Sequence, residues 1–211
     1  MPADRSYWAT ALIAIAIALS PISATARVPL SPAHLTSLKG TAPPPGAVGL
    51  CSRLPWACDS RGTGRRYSDQ ALFSLAHTIN RRVNREIGGQ SDLKTYGVVE
   101  WWALPVNGKG DCEDYALLKM KRLIEAGVPA STLALAVVVG PMPDVHVVLV
   151  MRTARGDLVL DNRTSRIKPW SATGYTFLKM QRPGNRAKWD IVAQAPKARA
   201  LRLQATASRA R

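Results

Sequence analysis

Three residues of this chain have types and spacing that could do covalent chemistry together: Cys112, His146 and Asp161. Cys112 stands in the stretch GKGDCEDYALLKM, flanked by Asp111 on one side and by Glu113 and Asp114 on the other. A nucleophilic cysteine works as its thiolate, and neighbouring carboxylates raise a thiol's pKa, so this stretch requires a cation as well as a base. Of the three histidines, His34 lies in a Pro-rich stretch and His77 sits beside the apolar stripe of an early helix, where packing is the favoured role. His146 falls in a strand and has a carboxylate near it in sequence, Asp161, in the strand that follows.

The elements that must position these groups can be read from periodicity. From Cys112 to Ala126, the residues Ala116, Leu117, Met120, Leu123 and Ile124 form an apolar stripe, and Gly127 closes the helix. Asp111 is its N-cap and Asp114, three residues on, approximates a capping box. Cys112 is then the first residue of the helix, facing backbone N–H groups and the positive end of the helix dipole, which favour a thiolate and an oxyanion. A second helix is predicted over 68–87, stopped by Gly88-Gly89. The runs 132–139, 145–152, 158–163, 175–180 and 188–193 read as strands punctuated by Gly, Pro and Asp. Helices first and strands afterwards give an α+β class, with the Cys112 helix packed on an antiparallel sheet.

Sheet geometry tests the His146 and Asp161 pair. Across a hairpin with an even-numbered loop, their odd separation puts both on one face. A four-residue loop, Arg152 to Arg155, sets them directly opposite, whereas a two-residue loop at Arg155-Gly156 keeps the face but slides them apart.

The rest of the chain bounds the setting. Residues 1–26 carry Arg5, the apolar run WATALIAIAIALS and the small-residue site Ala24 to Ala26, the pattern of a cleaved signal peptide, which implies export to an oxidising compartment. Residues 27–50 form a Pro-rich, aperiodic entry segment, residues 51–195 one domain, and residues 196–211 a basic, mobile tail. Against 14 acidic residues stand 29 Lys and Arg, a net charge of +15 that favours acidic partners such as anionic envelope polymers or an acidic protein substrate over nucleic acid. Cys51 and Cys58, close together in GLCSRLPWACDS, are a disulfide pair for such a compartment, which leaves Cys112 unpaired.

Taken together, LCSRLPWAC, GDCEDYALLK, HVVLV and LVLDN resemble, in this order, the bacterial transglutaminase-like cysteine proteinases, a family that includes the periplasmic LapG-type proteases acting on biofilm adhesins. The resemblance covers roughly residues 45–195. It implies a papain/transglutaminase-like α+β fold and a catalytic triad carried onto Cys112, His146 and Asp161. It also implies calcium as a cofactor, held at Asp111, Glu113 and Asp114, which would supply the missing cation; calcium takes several oxygen ligands. The implied partners are a protein substrate such as a surface adhesin and a membrane receptor as regulator. The residues themselves leave two alternatives: an envelope binding module for an anionic polymer, and an acyl transferase using the same acyl-enzyme.

Overall fold

The structure is a computed structural model and describes residues 33–61, 64–140 and 144–194. The signal-peptide reading and the basic tail lie outside the described residues. In chain order the elements are β1 (Lys39–Thr41), α1 (Leu50–Arg53), α2 (Asp69–Glu86), β2 (Gly88–Gly89), α3 (Asp92–Tyr96), β3 (Lys109–Gly110) and α4 (Cys112–Glu125). They continue with β4 (Leu133–Val139), β5 (Val145–Thr153), β6 (Gly156–Leu160), β7 (Lys168–Pro169), β8 (Thr176–Arg182) and β9 (Asn185–Gln194). Seven strands form one antiparallel sheet in the order β1-β9-β8-β4-β5-β6-β7. The α+β architecture, helices on a largely antiparallel sheet, is the one the helix-then-strand order implies. Within the Pro-rich stretch 27–50, however, Lys39–Thr41 is an edge strand paired with β9, which gives that stretch a place in the sheet.

Strand alternation divides the sheet between two cores. Leu133, Leu135 and Val137 of β4, with Val147, Leu149 and Met151 of β5, pack against the helices. Ala134, Ala136 and Val138, with Val148 and Val150, line the other face with Trp170 and Phe177. Both faces are covered, so the central strand β4 is almost wholly apolar. Helix α4 presents Ala116, Leu117, Met120 and Leu123 to the first core, each at most 2% exposed. Burying each larger side chain of that set contributes roughly 1.5–3 kcal/mol.

Both ends of α4 are fixed locally. At its start, the Asp111 N–H donates to Asp114 Oδ2 at 3.3 Å. At its end, Gly127 takes φ +93°, and the Val128 N–H reaches back to the Leu123 carbonyl at 2.9 Å, the wider of the two turns that finish a helix in a left-handed glycine. A Cys51–Cys58 disulfide closes the loop around α1. Fully buried Arg186 of β9 secures that loop by donating to the carbonyl oxygens of Trp56 and Asp59. Among the described residues, no helix is long and apolar enough to cross a membrane.

Candidate active site

The sheet opens where the site is built. β6 pairs with β5 only as far as Leu149–Leu160, so β5 continues from Val148 back to Val145 without that neighbour. Asp161 is the residue at which the β6 chain departs. The hairpin turn is Ala154–Arg155, with Thr153 paired to Gly156, a two-residue loop placed one residue earlier than the sequence alternative at Arg155-Gly156. His146 and Asp161 therefore share a face but lie diagonally, two residues out of direct opposition. Long side chains span that offset: His146 Nε2 lies 2.9 Å from Asp161 Oδ1, with both side chains at most 5% exposed.

Asp161 is held on every side. Its Oδ1 also accepts the Arg163 N–H at 3.0 Å, its Oδ2 accepts the Tyr175 hydroxyl at 2.7 Å, and its backbone carbonyl accepts Asn84 Nδ2 of α2 at 2.9 Å. Burial alone would raise this carboxyl, but the hydrogen bonds from His146, Arg163 and Tyr175 outweigh it and hold the group below its usual range. An ionised Asp161 makes Nε2 the protonated nitrogen of a neutral His146 ring and leaves a lone pair on Nδ1. That Nδ1 is buried and has no hydrogen-bond partner.

Cys112, half-buried at the first position of α4, is the unpaired cysteine of the chain. Its sulfur faces the backbone N–H of Val147, the residue after His146. The thiol is not bonded to His146 Nδ1; it donates instead to Glu113 Oε2 at 3.3 Å. Burial first, and then the charge of Glu113, push the Cys112 thiol well above its ordinary value. The structure thus joins His146 to Asp161 and brings Cys112 beside the strand of His146, with the thiol turned toward the acidic cluster.

That cluster contains one residue more than the sequence indicates. Asp92, the first residue of α3, joins Asp111, Glu113 and Asp114, and one carboxylate oxygen from each lies within 4.8 Å of the others. Asp92 Oδ2 accepts the Trp101 N–H, Asp111 Oδ2 accepts the Asp92 N–H at 3.1 Å, and Asp114 Oδ1 accepts the Ala103 N–H at 3.2 Å. Three further oxygens, Asp92 Oδ1, Asp111 Oδ1 and Glu113 Oε1, are buried without a partner. Burial, reinforced by the charge of Asp111, pushes Glu113 up to about 10, and burial pushes Asp114 up to about 7. Orphaned acceptors this close together, all oxygen and all from carboxylates, fit a hard divalent cation.

Trp101, Trp102 and His77 have structural positions. Trp102 is 1% exposed and meets Trp189 edge-on, while Trp101 lies at the surface beneath the Arg53 guanidinium, 4.0 Å from its ring centre. His77 is half-buried and stacks on Phe73, away from Cys112.

The fold and this arrangement define a papain/transglutaminase-like protein with a cysteine at its helix tip. The chain belongs to the bacterial transglutaminase-like cysteine proteinases (BTLCP), whose sequence profile matches residues 37–197. Among solved structures, calcium-bound LapG of Legionella pneumophila is 22% identical and aligns over 63% of this chain and 80% of its own, with a TM-score of 0.50, a likeness of fold. A second LapG structure from the same organism is 24% identical over 65% of this chain and 78% of its own, with a TM-score of 0.49. No curated protein matches the sequence. Family membership supports a cysteine-protease-like enzymatic activity.

Proposed function

We propose that the chain is an exported cysteine endopeptidase in which Cys112 is the nucleophile, His146 the general base and acid, and Asp161 the residue that orients the imidazole. The observation that carries this reading is the buried His146 Nδ1, left with a free lone pair by the Asp161 pairing and lying on the strand that meets the Cys112 sulfur. Turned from Glu113 toward Nδ1, the thiol gives up its proton, and the thiolate attacks the scissile carbonyl carbon. Backbone N–H groups at the start of α4 face the oxyanion that forms. The imidazolium then protonates the leaving amine as the C–N bond breaks, and a water molecule, deprotonated by the same nitrogen, hydrolyses the thioester.

Asp92, Asp111, Glu113 and Asp114 would hold a calcium ion. Calcium bound among them would offset the negative charge that, with burial, keeps the Cys112 thiol protonated. The chemistry of the donors supports calcium over a softer metal, because no nitrogen or sulfur ligand belongs to the cluster.

Residues 1–26 would act as the export signal and residues 51–195 as the peptidase domain, placing the enzyme in the periplasm or outside the cell. The family resemblance supports a surface adhesin as substrate and a membrane receptor as regulator. The test compares proteins released from cells producing wild-type protein with those from cells producing Cys112→Ala. A fragment released by the wild type alone is expected; the same fragment released by both would overturn the reading.

A further inference from the structure

One face of α2 carries a groove that the triad does not explain. Between Leu72 and Phe73 of α2 and the end of the β5–β6 hairpin lies a cavity of about 510 Å³, with Met151, Leu158 and Pro169 among its walls. It shares Gln70 and Phe73 with a second stretch of about 520 Å³, which shares His77 and Thr78 with a third, so the three form one groove along the helix. The shared residues recur at the three- and four-residue spacing of a single helix face. The apolar end is marked by Phe73, a large aromatic side chain that is 41% exposed.

The other end is basic. Arg81 and Arg85 line it from α2, and Arg166 and Lys168 from the segment that follows Asp161. Among the described residues lining these two stretches there is no carboxylate, and none of the four cations is in an ion pair, whereas Arg82, Arg122, Arg155 and Arg163 are all paired elsewhere. The groove also leads toward the active site. Asn84 of the same helix binds the Asp161 carbonyl, and Arg166, Ile167 and Lys168, a few residues after Asp161, form the facing wall.

We infer that this groove docks an acidic segment of the protein substrate, in extended form, with an apolar side chain seated against Phe73. The inference rests on the protease reading and adds to it the class of substrate. From Asp69 to Arg85 the helix rises about 24 Å at ~1.5 Å per residue, room for about seven residues of an extended chain at ~3.3 Å each. A bare polyanion would satisfy the cations but leave the apolar cavity unfilled. Strand addition is not the mode of binding: β7, the edge strand that borders the groove, is two residues long, and Pro169 has no N–H to offer. The chain's own residues 195–211 are unsuited as occupants, since Lys197, Arg199, Arg202, Arg209 and Arg211 carry the same charge as the groove and no acidic residue accompanies them.

Binding can be measured without turnover by using full-length Cys112→Ala and fluorescein-labelled heptapeptides rich in Glu with one terminal Phe, made in both orders. All-Glu and Lys-for-Glu peptides serve as controls, and labelled heparin as the polyanion probe. The expected result is salt-sensitive binding of one Glu/Phe peptide that weakens at least about tenfold in Arg81→Glu/Arg85→Glu and in Arg166→Glu/Lys168→Glu, since reversed charges repel. Phe73→Ala should weaken it as well and leave heparin binding unchanged. Circular dichroism and the calcium response of each variant would show that the fold survives. Binding indifferent to all three variants overturns the inference. So does heparin binding tighter than either peptide, lost in the charge reversals and not in Phe73→Ala, because it assigns the groove to a polymer. Failure of this kind with wild-type turnover intact would remove the docking groove and leave the protease; docking without turnover would do the reverse.

Discussion

Replacing Asp92 by Asn should have opposite effects on stability with and without calcium. Two full charges 4.8 Å apart, the upper limit of the spacing within the four-carboxylate cluster, repel by about 3.5 kcal/mol at an effective dielectric constant near 20. Six such pairs would exceed the roughly 5–15 kcal/mol that holds a domain together, so the metal-free cluster must keep protons or destabilise the fold. Asn at position 92 retains an acceptor for the Trp101 N–H and removes one charge from the cluster. In excess chelator, Asp92→Asn should therefore melt higher than wild type, by about 2–4 °C for each kcal/mol of repulsion relieved in a chain of this size. In calcium at about a hundredfold excess over its Kd, wild type should gain about 2.7 kcal/mol, and the variant, short of one charged ligand, clearly less. The two melting temperatures should cross between the conditions, as read by calorimetry on both proteins in calcium and in chelator. A variant less stable than wild type in both conditions, with neither protein responding to calcium, would refute the reasoning and leave Asp92 as an anchor for the loop at Trp101.

Further expectations follow from individual contacts. Tyr175→Phe removes a hydrogen bond to ionised Asp161 and should cost about 1.5–3 kcal/mol at neutral pH. Because the folded Asp161 carboxyl titrates below its unfolded value of about 3.9, that difference should be full above this pH and shrink as pH falls through the folded value, measurable by urea titration across pH. Gly110→Ala would place a Cβ 2.5 Å from Asp114 Oδ2 and 2.7 Å from its Cβ, shifting the first turn of α4; it should cost about 1–3 kcal/mol in thermal melts and slow labelling of Cys112. Cys51→Ser/Cys58→Ser should lose about 2–3 kcal/mol, the chain-entropy value for so short a loop, while the wild type shows one free thiol by mass analysis without reductant.

What the sequence makes legible here is what local chemistry decides. The start of α4 is written in Asp111 and Asp114 and its end in Gly127, and the parity of the hairpin suffices to put His146 and Asp161 on one face. The exact register needs the turn at Ala154–Arg155, which nothing in the residues selects over its neighbours. Asp92 is hidden because it lies nineteen residues before Asp111, on a five-residue helix brought against Asp111 by the folding of the chain between them. Its one signal was an acidic residue at a short helix start ahead of the Trp pair. Tyr175 escaped for a similar reason: it reads as the first residue of a strand, although a tyrosine heading an apolar run needs a partner for its hydroxyl, and that partner is Asp161. Lys39–Thr41 lacks the alternation of a strand because its pairing with β9 comes from the backbone at a sheet edge.

The central claim, that Cys112, His146 and Asp161 act as one unit, is tested most directly by the rate at which iodoacetamide alkylates Cys112 as a function of pH, in calcium, for wild type, His146→Ala and Asp161→Asn. The expected result is rapid labelling of wild-type Cys112 at neutral pH and labelling at least about a hundredfold slower in His146→Ala, with Asp161→Asn between them. Equal rates in all three proteins, rising together only with the titration of an ordinary thiol, would contradict it.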